Sequence, residues 1–102
     1  MRLIEKLSDQ ITEELNDAEK YAKCALVYRT DRPELARTYY QLSEQELQHM
    51  EMLHRQVVAL IEEYRRNNGD PPAEMQARYD WLHEKQIEHA AEIRILQASF
   101  NK

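Results

Sequence analysis

At 102 residues, with one Gly, three Pro, 42% hydrophobic and 32% charged side chains, the chain has the composition of a single domain of long helices rather than of strands and turns. A net charge of −5, with Lys and Arg scattered among Asp and Glu, argues against an electrostatic nucleic-acid partner, and no apolar run approaches the roughly 18 residues of a membrane span. The lone Cys24 rules out an internal disulfide, and Met1-Arg2-Leu3-Ile4-Glu5-Lys6 meets charge at once, so the expected setting is reduced and cytoplasmic.

The spacing predicts a first helix over 3–29. Its stripe of Leu7, Ile11, Glu14, Ala18, Tyr21 and Ala25 alternates steps of four and three, with Glu14 its only charge. Asp31, Pro33 and Glu34 then read as a capping-box-like start for a second helix over 33–67. There the same spacing collects Leu35, Tyr39, Leu42, Glu46, His49, Leu53, Leu60 and Tyr64, and Glu46 and His49 interrupt it together. Gly69 suits a left-handed helix end. Asp70 suits the cap of a third helix over 71–100, whose first turn tolerates Pro71 and Pro72. Its stripe runs Met75, Tyr79, Leu82, Gln86, His89, Ile93, Leu96 and Phe100, with Gln86 and His89 as the polar pair. A second stripe one residue on, including Leu15, Tyr40, Leu47, Met50, Val58, Ile61 and Ala90, widens each apolar face. Both connections are short, so the expected fold is all-α: one antiparallel up-down-up three-helix bundle over 1–102.

The polar interruptions share a height. At ~1.5 Å per residue, Glu14 lies about 24 Å back from the first turn, and Glu46 and His49 lie about 20 and 24 Å beyond it. His49 and His89 are each about 27 Å from the second turn. One slice is therefore expected to hold Glu14, Glu46, His49 and His89, with Gln86 at its edge. A carboxylate buried without a partner costs several kcal/mol, so it must be paired, protonated or bound to a cation. A divalent metal satisfies two carboxylates at once and takes neutral imidazole as a further ligand. The oxygen-rich set suits Fe or Mn, with Zn as the alternative.

The plainer reading is a hydrogen-bonded polar layer that sets helix register in a non-enzymatic interaction or oligomerisation module. His54 and His83, beside the main stripes, read as interhelical hydrogen-bonders or surface residues, and Tyr21 and Tyr39 as core aromatics. Cys24 reads as a small buried hydrophobe. No nucleophile motif and no Gly-rich phosphate loop is present.

Glu14 followed by Glu46-x-x-His49 on the next antiparallel helix, within "ELNDAEKY" and "SEQELQHMEML", resembles the half-site of the ferritin-like di-iron carboxylate proteins over positions 7–61. The first of these stretches is similar to the first ligand helix of rubrerythrins. The resemblance implies Glu14 as a terminal ligand, Glu46 as a bridging carboxylate and His49 as a terminal imidazole, with ferroxidase or peroxide chemistry. A complete ferritin-like domain has four helices and a second Glu-x-x-His, whereas this chain has three and offers Gln86-x-x-His89. Two completions stay open. One is an asymmetric site within one chain that draws on His89. The other is a two-fold dimer in which two copies of Glu14, Glu46 and His49 meet, as in the short encapsulated ferritins. A homo-oligomer is expected, with Trp81, Tyr40 and Tyr28 as candidate contacts.

Overall fold

A computed structural model describes residues 1–102 as three helices: α1 (Arg2–Tyr28), α2 (Pro33–Asn68) and α3 (Ala73–Phe100). The 36 residues of α2, at ~1.5 Å each, account for a rod 56 Å long and 18 Å across. No helix is long and apolar enough to cross a membrane.

Helix ends follow from proline more than from capping side chains. Pro33 opens α2 behind Arg32, and no side chain caps it; Asp31 stays in the preceding turn. Helix α3 begins at Ala73, two residues later than the spacing predicts, because Asp70 and Pro71 each precede a proline and are thereby disfavoured from helical dihedrals. Pro72, with φ −53° and ψ 144°, is extended and takes the N-cap place expected of Asp70. Gly69 does end α2. Its φ of 77° is open to glycine without strain, and its N–H donates to the Arg65 carbonyl at 3.0 Å.

Helix α1 is the axis of the bundle. Its buried residues Ile4, Ser8, Ile11, Leu15, Ala18, Ala22 and Ala25 keep the four-three alternation throughout. Helix α2 runs antiparallel along it on a seam of small residues: Ala18, Ala22, Ala25, Ala36 and Ser43 are each at most 1% exposed. Ser43 Oγ donates to the Ala18 carbonyl at 2.7 Å, and the same register sets Ala25 opposite Ala36. Helix α3 lies parallel to α1 and is held at both ends. The Met1 amino group donates to Tyr79 Oη at 2.9 Å, and Arg29 donates to the Ser99 carbonyl at 2.9 Å. The core cluster joins Ile11, Leu15, Leu47, Met50, Ala90 and Ile93 around Ala18. Helices α2 and α3 each pack on α1 far more closely than on one another.

In α2 the buried stripe is the second one. Ala36, Ser43, Leu47 and Met50 are buried, whereas Leu42, Glu46, Leu53 and Leu60, one residue earlier, are half-buried. Leu47 and Met50 join Ala90 and Ile93 of α3 in the core cluster, so the second stripe is the one that both neighbouring helices cover. Tyr40 is used within the chain, stacked on Phe100 at 4.9 Å. Tyr28 and Trp81 remain exposed, Trp81 at 60%.

The seam makes size the sensitive variable. Ala18→Leu, which drives α1 and α2 apart, is expected to cost ~1–3 kcal/mol. Ser43→Ala, which removes one donor and lets Gln97 turn to water, is expected to cost about 1 kcal/mol. Urea unfolding followed by far-ultraviolet circular dichroism checks both. A tolerated Ala18→Leu contradicts the tight seam.

Candidate metal centre

Glu14 stands one turn before Ala18 on α1, at the edge of the small-residue seam. Glu46 and His49, three residues apart, project from one face of α2 at the same edge. His49 Nδ1 lies 3.6 Å from Glu14 Oε2 and 3.8 Å from Glu46 Oε2, and the three potential ligand atoms are all within 4.8 Å of one another. These separations exceed a hydrogen bond, so the groups converge without bonding to each other. Two bonds of ~2.1 Å at tetrahedral or octahedral angles place ligand atoms roughly 3.0–3.5 Å apart, so modest side-chain rotation closes the set on one ion.

The burial differs from the sequence expectation. Side-chain exposure is 28% for Glu14, 18% for Glu46 and 53% for His49, so the group forms a half-exposed ledge instead of an interior layer. Water already reaches the carboxylates, and interior desolvation does not by itself demand a cation there.

His89 and Gln86 are not brought to this group. His89 Nε2 meets Glu19 Oε1 at 3.1 Å in the α1–α3 seam, and Gln86 Nε2 donates to the Ser8 carbonyl at 3.2 Å. Rise per residue fixes height along the rod but leaves the angle about each helix axis open. Glu14 and Glu19 are five residues apart on α1, which turns them about 140° from each other, and α3 lies on the Glu19 side. A hydrogen bond from Lys23 is the largest influence holding the Glu19 carboxyl below its usual range. Partial burial opposes it, and the bond to His89 adds to the lowering.

His54 and His83 do bond across α2 and α3, with Nε2 to Nε2 at 3.0 Å. Burial, and then the neighbouring His83, hold His54 below the usual imidazole range. Around the pair the carboxylate-x-x-histidine spacing recurs twice, as Glu51-x-x-His54 and Asp80-x-x-His83. An apolar-stripe pattern passes over both, because these residues flank the stripes; the repeated spacing itself is the signal that finds them.

No protein-family model matches the chain, and no curated protein or solved structure matches it either.

The depressed His54 affinity sets a pH dependence. The unfolded chain takes up that proton first, so stability is full above about pH 6.5 and declines as pH falls through 6.5 toward the lower folded value. Thermal melts between about pH 7.5 and about pH 5.5 are expected to show this decline, and His54→Asn to flatten it. An unchanged slope in the variant removes His54 as its source.

Proposed function

We propose that the chain is a ferritin-like metal-binding protein in which Glu14, Glu46 and His49 hold a divalent first-row ion, iron foremost, with manganese or zinc as alternatives. The observation that carries this reading is the convergence of three ligand atoms, from two helices, within 4.8 Å. Two carboxylates to one imidazole is a hard, oxygen-rich set, which favours Fe(II) or Mn(II). An iron held there supplies oxidation chemistry of the ferroxidase or peroxide kind.

One chain offers three donors, fewer than the six ligands of an octahedral ion. The half-buried Leu42, Leu53 and Leu60 share the first stripe of α2 with Glu46. A second copy docked there about a two-fold axis covers this face and brings the total to four carboxylates and two imidazoles. The shared site is favoured over a single-chain site using His89, because His89 is bonded to Glu19 on the other side of α1.

A second reading, a helical interaction module, draws on the polar residues of α3. Gln86, His89 and Gln97 all have hydrogen-bond partners inside the bundle, and no buried side-chain polar atom lacks one. In that reading metal changes neither melting temperature nor oligomeric state.

Anaerobic titration with Fe(II) and Mn(II) separates the two. Glu46→Ala is expected to weaken binding at least about tenfold, or ~1.4 kcal/mol, and His89→Asn to leave it unchanged. Light scattering with and without chelator is expected to show a metal-dependent dimer. A chain that binds neither ion defeats the iron and manganese reading, and one that binds yet stays monomeric defeats the shared site.

A further inference from the structure

The His54–His83 pair stands in the groove where α2 and α3 diverge, a space of about 200 Å³ floored in part by Met50 and Ala90. The pair has no carboxylate or backbone partner; each imidazole's hydrogen bond is to the other. The ring centroids are 4.7 Å apart and the Nε2 tips 3.0 Å, so the rings narrow toward each other at their tips. In the neutral pair one Nε2 donates and the other accepts. A change of tautomer that moves the donor's proton to Nδ1 leaves both Nε2 atoms with free lone pairs, with no net loss of a proton.

Two metal–imidazole bonds of ~2.0–2.1 Å meeting at roughly 95° span this 3.0 Å gap. Carboxylates on the same two helices stand near the pair, although neither reaches within 4.8 Å of both imidazoles without side-chain rotation. Glu51 and Asp80 each stand three residues before one of the histidines on the same helix face, and they line separate hollows on the two sides of the pair. Their present partners are replaceable. Glu51 takes a 3.3 Å contact from Arg94 with both side chains 53% exposed, and Asp80 accepts from the neutral Gln76 amide at 2.8 Å.

We infer that His54 and His83 form a second metal site, a clamp between α2 and α3 for a late first-row divalent cation such as Zn(II), completed by water and by the rotation of Glu51 or Asp80 toward the ion. Nitrogen dominates this donor set where oxygen dominates the ledge, so the two sites sort different ions by ligand chemistry. They share no residue, and the clamp stands whether or not the Glu14 site binds iron. Because its ligands come from two helices that pack poorly on each other, an ion here ties α3 to α2 and stabilises the folded chain by mass action.

The test uses the full chain carrying Glu46→Ala and His49→Ala, which removes the ledge, titrated with Zn(II) against a chromophoric chelator. One equivalent of zinc is expected to bind and to raise the melting temperature. Adding His54→Asn and His83→Asn is expected to abolish both effects. No zinc bound by the ledge-deleted chain, or zinc uptake unchanged by the histidine substitutions, overturns the clamp. Should those substitutions unfold the protein, long-range proton–nitrogen spectra of the ledge-deleted chain decide. The Nε2 resonances of His54 and His83 are expected to shift with the first equivalent of zinc, and their staying in place overturns the proposal.

Discussion

The close approach of α1 to α2 along Ala18, Ala22, Ala25, Ala36 and Ser43 is the constraint from which the other features follow. Small side chains let the two backbones come near enough for a serine hydroxyl on one helix to reach a main-chain carbonyl on the other. Anything larger must leave the seam by one edge or the other. On one edge stand Glu14, Glu46 and His49, with Tyr21, Tyr39 and Tyr28 stacked at 6.0 Å intervals further along. On the other edge Leu15, Leu47 and Met50 leave the apolar surface on which α3 rests.

Angular position on α1 then divides the chemistry. Glu14 faces away from α3 and stands beside Glu46 and His49 without a hydrogen bond to either, whereas Glu19 faces α3 and is engaged by both Lys23 and His89. Two carboxylates on one helix therefore have different surroundings: one anchors a neighbouring helix, and the other stands on an open ledge without a hydrogen-bond partner. The histidines divide in the same way. His89 belongs to the packing of α3 on α1, His49 to an open ledge, and His54 and His83 to the gap that the packing leaves.

The three helices, their order and the grouping of Glu14 with Glu46 and His49 were legible because each depends on quantities that sequence encodes directly: apolar period, the position of Pro and Gly, and rise per residue. The place of His89 was not, since rise gives height and leaves rotation about the axis open. Which of two adjacent stripes in α2 is central was equally hidden. It depends on the side that α3 chooses, and that in turn depends on the seam Ala and Ser residues, which count as weakly apolar or polar in a pattern and yet are as buried as Ile11, Leu15 and Ile93. The late start of α3 was written in Pro71-Pro72, because a residue before proline resists helical dihedrals, and that outweighs the capping preference of Asp70.

The unequal sharing of contacts with α1 also sets an order of assembly. Helices α1 and α2 are joined by a four-residue connection and meet along a seam whose partners are near in sequence, so their pairing requires little loop closure. Helix α3 must span the whole of α2 before Gln86 can find Ser8 or Tyr79 the amino terminus, and it buries only Gln86, Ala90 and Ile93 when it arrives. The α1–α2 hairpin is therefore expected to be the early, slowly exchanging unit and α3 the late one. In the folded protein α3 is accordingly expected to open first, with its amide hydrogens exchanging ahead of those in the seam.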